Sequence, residues 1–276
     1  MVQKSILLSL AAGLAVSLSA PPASAQVPLA GYRAVHDLAL IPGADLAEVG
    51  AISGRIVTEF SGSACAGYTT KLRYVTQNLN ANGDVQTEDS RSTTFETADG
   101  SFQFTNEDYT NQELVDRSVG TAERKDDTIV VKLTEPTKKT FTLDHDVVFP
   151  TEQVSQVIEA ALAGKSFLSV DLYDGSETGE VVFNTATVIG KISTASDDLG
   201  TETAIADAGF AGLRHWPVTI SYFEPKGAAD MTPAYTMSLV VYENGVFRDI
   251  KLDYGKFALA GTLTSLETLP SSPCPG

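Results

Sequence analysis

The alternation of apolar and polar side chains constrains this chain most, and it is clearest between Gly54 and Tyr74. A link rich in Ser, Gly and Ala divides this stretch into two runs that each alternate with period two. Successive side chains of a β-strand point to opposite faces, so the pattern predicts two strands of a sheet with one dry face and one wet face. The residues expected on the dry face are Ile56, Thr58, Phe60, Tyr68, Leu72 and Tyr74.

The N-terminus, residues 1–25, has the parts of a secretory signal peptide. Lys4 gives it a positive start, an apolar run follows, and an A-x-A cleavage site ends at Ala25. We therefore expect cleavage after Ala25 and export, which in a bacterium leads to the periplasm. A membrane anchor needs roughly 18 or more apolar residues, and Pro21 and Pro22 end the run before that length. No later stretch is long and apolar enough to cross a bilayer, so we do not expect an integral membrane protein.

The mature chain, residues 26–276, is expected to form a single domain of 251 residues. Strand signals run from end to end, and no Pro/Ser-rich linker interrupts them. The leader holds Lys4 and no acidic residue, so the mature chain has 18 Lys and Arg against 35 Asp and Glu, a net charge of −17. This excess of acid argues against nucleic acid as a partner and against adhesion to anionic lipid head groups, since both require basic patches.

The two cysteines, Cys65 and Cys274, belong to an exported chain, which favours a disulfide over two free thiols. The closed loop would contain 208 residues. In the chain-entropy model, a cross-link around a loop of this length stabilises the fold by roughly 5 kcal/mol as an upper figure. The alternative is that Cys65 is a nucleophile. A nucleophile requires a partnered base, and no Cys-His motif accompanies Cys65.

Turn signals divide the remainder of the chain into short strands. Asn82-Gly83 and Asn244-Gly245 predict tight reversals, so Lys71–Asn78 should pair with Val85–Glu96. Asp174-Gly175-Ser176 predicts another reversal. The total of about a dozen strands lies within the range of a large open barrel or a coiled sheet. We therefore expect an all-β fold built on a long antiparallel sheet.

One segment departs from the strand pattern and predicts an amphipathic helix of about three turns. Thr151 is the expected N-cap after Pro150, and Gly164 ends the helix. Its apolar stripe should cover the core of the sheet, and the alternative role is a plug or lid. Residues 193–212, rich in Ala, Asp, Gly and Thr, are expected to form a long connection. The stripe consists of Val154, Val157, Ile158, Ala161 and Leu162.

The sequence carries no motif for catalysis or for metal binding. His36, His145 and His215 are far apart and lack the spacing of a zinc site. There is no G-x-S-x-G elbow, phosphate-binding loop or dinucleotide glycine pattern. Asp144-His145-Asp146 is interpreted as a solvated turn, because the middle side chain of a strand tripeptide faces away from the other two. The acids of 171–177 lack the spacing of a calcium loop. We expect no catalytic residue, no metal and no cofactor.

Short segments spread along the mature chain carry a resemblance to one family. They are Gly54–Phe60, Gly62–Tyr68, Arg73–Thr76, Tyr173–Glu177, Ile189-Gly190, Trp216–Val218, Tyr222-Phe223 and Cys274. These segments resemble the EipB family of bacterial periplasmic cell-envelope integrity proteins. The resemblance implies an antiparallel sheet curled into a β-spiral, or incomplete barrel, with one helix and a disulfide between Cys65 and Cys274. It also implies a role in protecting the envelope against stress, and it brings no established catalytic residues.

We expect a periplasmic, non-enzymatic protein whose concave interior binds a lipid-like or extended peptide ligand, because a sheet of about a dozen strands encloses more space than one helix can fill. Its partners would be a lipid, a lipoprotein or another periplasmic protein. The alternatives are a hydrolase of envelope polymers and an interaction scaffold that pairs a free sheet edge with a partner strand. The candidate lining residues are Tyr68, Leu72, Tyr74, Phe102, Phe104 and Trp216.

Overall fold

The computed structural model describes residues 27–42, 51–79, 83–195, 199–224 and 232–274. The predicted signal peptide and its cleavage site lie outside the described residues. The strands are β1 (Gly31–Leu40), β2 (Ala51–Ser63), β3 (Gly67–Leu79), β4 (Val85–Glu96), β5 (Ser101–Thr110), β6 (Glu113–Lys125), β7 (Thr128–Glu135), β8 (Lys139–Asp144), β9 (Phe167–Leu172), β10 (Phe183–Ile189), β11 (His215–Phe223), β12 (Tyr235–Tyr242), β13 (Phe247–Asp253) and β14 (Ala258–Leu269). The helices are α1 (Pro150–Leu162) and α2 (Ala204–Asp207).

All of these strands belong to one antiparallel sheet, in the order β8-β7-β6-β5-β4-β3-β2-β1-β14-β13-β12-β11-β10-β9. Two runs of sequence neighbours, β1 to β8 and β9 to β14, make up this order. The runs join where β1 pairs with β14, with Gly31 opposite Leu269. β8 and β9 remain as the two edges, and α1 lies between them in sequence. The predicted all-β fold with a long antiparallel sheet is therefore confirmed.

The strands follow the predicted alternation, as β1 illustrates. Tyr32, Ala34 and Leu38 point to one face and are buried. On the other face, Arg33 forms an ion pair with Glu59 of β2 at 2.5 Å. Burying a large apolar side chain stabilises a fold by about 1.5–3 kcal/mol, whereas an exposed ion pair contributes about 1 kcal/mol or less. The inner face therefore determines which way the sheet curls.

The predicted pairing of Lys71–Asn78 with Val85–Glu96 is confirmed. β3 and β4 pair over almost their full length, from Tyr68 opposite Glu96 to Leu79 opposite Val85. β12 and β13 also form the hairpin that the Asn-Gly signal predicts, and Gly245 has a φ of +84° in its turn.

The connection between β9 and β10 is longer than the predicted turn at Asp174-Gly175. The two strands pair as expected, but residues 173–182 separate them. The Gly175 carbonyl accepts hydrogen bonds from Asn106 Nδ2 at 2.8 Å and from Ser118 Oγ at 2.5 Å. β5 and β6 thus hold this loop on their inner face. Such long-range hydrogen bonds leave no local sequence signal.

The sheet curls until the chain that follows its edge strand β9 packs on the inner face of β5. The ring of Tyr173 contacts the rings of Phe102 and Phe104, with centroid distances of 6.2 and 5.7 Å. Phe149 stacks on Phe102 at 4.8 Å. The two ends of one sheet therefore overlap without closing, which is the geometry of a β-spiral or incomplete barrel.

The predicted helix is present as α1, but it begins two residues earlier than expected, so Thr151 is not its N-cap. Phe149 occupies the N-cap position, and Thr151 lies in the first turn. Val157, Ile158 and Ala161 of the predicted stripe are buried against the core that includes β9 and β10. The stripe thus covers the core, except for Leu162, which is 42% exposed. The predicted connection at 193–212 contains a short helix, α2, that the sequence pattern did not indicate.

The predicted disulfide between Cys65 and Cys274 is present, with the two Cα atoms 5.3 Å apart. It joins the turn between β2 and β3 to the C-terminal segment, 209 residues later in sequence. A backbone hydrogen bond from Ser272 N to Gly62 O, at 3.2 Å, holds the same two segments together. The chain's end is thereby tied to the strand region near its beginning.

Candidate ligand-binding interior

The inner face of the sheet is filled at β1 and β2 and incompletely covered at β3, β4 and β5. Thr58 and Ile56 of β2 are buried, but their direct partners on β3, Leu72 and Tyr74, are half-buried. The residues of β4 and β5 that lie beside Leu72 and Tyr74 across the sheet are also partly exposed. We call this region the inner strip; its residues are Leu72, Tyr74, Ser90, Ser92, Asn106 and Asp108.

The six predicted lining residues fall into three environments. Leu72 and Tyr74 lie together in the inner strip. Tyr68 lies on the same face of β3 but lines a separate cleft beside α1. The remaining three, which are at most 3% exposed, lie within the packed core. They are Phe102, Phe104 and Trp216.

A row of neighbouring tyrosine side chains extends from Tyr74 of the inner strip to Tyr222 of β11. The hydroxyl of Tyr74 lies 3.4 Å from that of Tyr254, which follows β13. Tyr254 approaches Tyr235 with ring centroids 6.0 Å apart, and Tyr235 stacks on Tyr222 at 4.3 Å. Burial raises the pKa of Tyr74 and that of Tyr235 well above the ordinary value, so both hydroxyls stay protonated and can donate hydrogen bonds. Sequence analysis missed Tyr235 and Tyr254, because alternation does not reveal which strands meet.

Carboxylates gather at one end of the inner strip. Burial, followed by repulsion from Glu224, Asp174 and Asp108, raises the pKa of Glu177. Burial likewise raises the pKa of Asp174, which lies in the same loop. Within the ranges that the structure describes, no three His, Cys, Asp or Glu side chains are placed to hold a metal ion. This end of the interior is thus acidic.

A cleft of about 360 Å³ lies between α1 and the turns that follow β2 and β4. Glu96 forms part of its wall, and burial raises the pKa of this carboxyl to about 7. Arg124 forms an ion pair with Glu152 at 2.5 Å and donates to the Val147 carbonyl at 3.0 Å. Tyr68 closes the cleft and stacks on Phe60, with ring centroids 5.0 Å apart. The wall thus combines polar and apolar side chains, and its one arginine is already paired.

The three histidines have different surroundings. His36 is fully buried and stacks on Phe247 at 5.5 Å. The Nδ1 atom of His215 lies 2.9 Å from the Leu213 carbonyl oxygen. His145 is exposed and lies 3.7 Å from Asp146, in keeping with the solvated turn predicted for 144–146. Cys65 is bonded to Cys274, so it has no free thiol in this structure.

The described part of the chain contains no helix with the length and apolar character needed to cross a bilayer.

Comparisons with known proteins agree with this architecture. The EipB-like family model matches residues 23–270. The chain is 38% identical to the cell envelope integrity protein EipB of Brucella abortus (strain 2308) over 257 residues, which is 93% of this chain and 89% of that protein. A crystal structure of a beta-barrel-like protein of a domain of unknown function from Brucella abortus superposes with a TM-score of 0.80 at 37% identity, covering 88% of this chain and all of that one. The chain therefore belongs to the EipB-like family.

Proposed function

We propose that this protein is exported to the periplasm and supports the integrity of the cell envelope without catalysing a reaction. The role in the envelope is supported by the similarity to the Brucella abortus relative, which is named a cell envelope integrity protein. The location is supported by the leader sequence and by the disulfide, since thiols oxidise in exported proteins. Its partner would be a lipid, a lipoprotein or another periplasmic protein.

The inner strip is the observation that carries a binding role. A sheet face that has no guest to receive is normally filled by its own side chains, as the faces of β1 and β2 are. The inner strip instead leaves Leu72 and Tyr74 only half-buried beside Ser90 and Ser92, which are also partly exposed. Pockets that hold an elongated ligand combine apolar walls with a few polar groups. We therefore place a lipid-like or extended peptide ligand along the inner strip.

Native mass spectrometry of protein isolated gently from the periplasm tests this role, followed by extraction of the bound material. Ser92→Trp should fill the inner strip, whereas Thr93→Trp adds the same ring on the opposite face of β4. We expect a co-purifying guest with the unmodified protein and with Thr93→Trp, and none with Ser92→Trp. Protein that emerges empty in all three cases would contradict the binding role.

A second candidate function, as an interaction scaffold, is favoured by the edge strand β9. Phe167 lies directly opposite Val188 of β10, and each is 56% exposed. The other edge, β8, begins with the charged Lys139, a kind of residue that protects sheet edges from pairing. A partner strand would therefore add to the first part of β9, because Val148 already bridges to Leu172 at the other end of the strand. Ser169→Pro in β9 should abolish crosslinking to a protein partner while leaving guest binding in the inner strip intact.

A further inference from the structure

Two buried polar side chains next to the inner strip have no hydrogen-bond partner. Both ring nitrogens of His36 and the hydroxyl of Thr58 are unpaired, although the residues are 0% and 3% exposed. A backbone group of Phe247 lies near the imidazole, but no contact there has hydrogen-bond geometry. Buried polar groups are almost always paired, so each of these exceptions requires an explanation.

The two side chains lie on the same inner face of neighbouring strands. His36 is opposite Ile56, and Ala34 is opposite Thr58, so His36 and Thr58 are diagonal neighbours. Such positions are roughly 7–8 Å apart, a distance that one extended molecule can bridge. On its other side, Thr58 is the direct cross-strand partner of Leu72. The unpaired groups therefore adjoin the inner strip.

The ring of Phe247 covers the imidazole. It stacks on His36 with an interplanar angle of 9° and meets Tyr32 edge-on at 6.2 Å. Phe247 is itself only partly buried and is the first residue of β13. Because it lies at the end of a strand, its ring can rotate away without displacing the centre of that strand. Rotation would bring the His36 nitrogens into contact with the interior.

We propose that the guest of this interior is an extended peptide segment, whose amide groups hydrogen-bond to His36 and Thr58, rather than a hydrocarbon chain. This inference rests on the proposed binding function. A neutral imidazole offers one donor and one acceptor, a hydroxyl offers both, and a peptide group carries one of each. A hydrocarbon chain would leave all of these groups unpaired. Ser90 and Ser92 of the inner strip provide further partners for a peptide backbone.

A carboxylate guest fits these groups less well than a neutral amide. Asp108 lies in the inner strip, and Asp174 and Glu177 are close enough to influence each other's ionisation at its end. A guest carboxylate would be repelled by these acids and would lose its hydration. A peptide presents its amides without net charge.

Nuclear magnetic resonance of the uniformly ¹⁵N-labelled mature protein, with both histidine ring nitrogens and backbone amides observed, tests the proposal. The probes are the hexapeptide acetyl-Ser-Val-Ser-Val-Ser-Val-amide and n-decane, a hydrocarbon without hydrogen-bonding groups. We expect the peptide to shift the ring nitrogens of His36 and to leave those of His145 and His215 unchanged. Thr58→Val, which keeps the shape of the side chain, should weaken peptide binding about tenfold without lowering the melting temperature. His36→Phe should act in the same direction, and the exposed His145→Phe is the matched control.

The outcomes distinguish the peptide proposal from the proposed binding function. Decane binding without peptide binding would overturn the peptide proposal and leave the binding function in place. Equal peptide affinity for the unmodified protein, Thr58→Val and His36→Phe would overturn it as well. If neither probe perturbs the amide signals of Leu72 and Tyr74, both the peptide proposal and the proposed binding function fail.

Discussion

The carboxylate of Glu96, at the end of β4, accepts a hydrogen bond from the backbone N–H of Thr151, with Oε1 2.6 Å from the nitrogen. Its other oxygen lies 3.3 Å from the backbone nitrogen of Glu152. The first N–H groups of a helix have no partner inside the helix, and α1 has no side-chain cap of its own. A residue 55 positions earlier in the chain therefore caps α1 and attaches it to the sheet.

Glu96→Ala should lower the free energy of unfolding by about 1–2 kcal/mol, which is the usual cost of losing an N-cap acceptor. Glu96→Gln keeps one acceptor oxygen and should cost less. Urea unfolding followed by circular dichroism measures both. Glu113→Ala, an exposed acid at the start of β6, is the control for the loss of charge. Equal stabilities of Glu96→Ala and Glu113→Ala would show that Glu96 does not hold α1.

Glu96 and His36 should give opposite pH dependences of stability. Burial raises the pKa of Glu96 to about 7, so the folded state binds its proton more tightly than the unfolded state. This contribution stabilises the fold as pH falls from 7 to 4.5. Burial lowers the pKa of His36 to about 4, so acidification from pH 6.5 to 4 destabilises the fold. Each effect amounts to about 3 kcal/mol at most, and they largely cancel between pH 4.5 and 6.5.

His36→Phe removes the destabilisation that His36 causes on acidification and leaves the contribution of Glu96. The variant should become more stable as pH falls from 7 to 4.5, whereas the unmodified protein changes little over the same interval. Melting temperatures at half-unit pH steps would show the difference. Parallel pH profiles for the two proteins would mean that His36 does not titrate as its burial requires.

The disulfide should account for a large part of the stability. Cys65→Ser, or reduction of the native bond, should lower the melting temperature sharply, with an upper figure of about 5 kcal/mol from loop entropy. Calorimetry with and without dithiothreitol measures the effect. The double variant Cys65→Ser, Cys274→Ser is the control, since reductant should not change it. An unchanged melting temperature on reduction of the native protein would contradict the structural role of this bond.

Gly175 should tolerate substitution poorly because of its position inside the curl. A Cβ atom there would lie 2.4–2.6 Å from the ring of Phe104, and the φ of +69° adds strain for any other residue. Gly200 has a φ of +56° and no heavy atom within 4 Å of the same site. Gly200→Ala therefore measures backbone strain alone, about 1 kcal/mol. Gly175→Ala should cost about 1–3 kcal/mol more, through overpacking. Similar unfolding free energies for the two variants would argue against the packed loop.

Local pattern predicted the faces of the strands and most of the hairpins. Leu72 and Tyr74 could be assigned to the inner face because a strand alternates strictly. Ser90 and Ser92 occupy the neighbouring inner positions, yet two serines carry no signal of a binding surface. The helix α2 has four residues, too few for a detectable helical repeat.

Long-range relationships could not be predicted in the same way. The pairing of β1 with β14 joins residues more than 200 positions apart. The alternation of apolar and polar side chains does not indicate which strands are neighbours in the sheet. Phe102 and Leu72 look equivalent in sequence, since each is an apolar residue on an inner face. They differ because the loop after β9 covers Phe102 and leaves Leu72 only half-buried. Filled and open parts of the interior are therefore distinguishable only in three dimensions.

Photo-crosslinking in living cells tests the binding role most directly. p-Benzoylphenylalanine in place of Tyr74 would face the inner strip, whereas the same group in place of the adjacent Val75 would face outward. With a guest in the interior, irradiation should give a defined covalent adduct from position 74 and none from position 75. Adducts of equal yield from both positions, or none from position 74, would contradict a guest-binding interior.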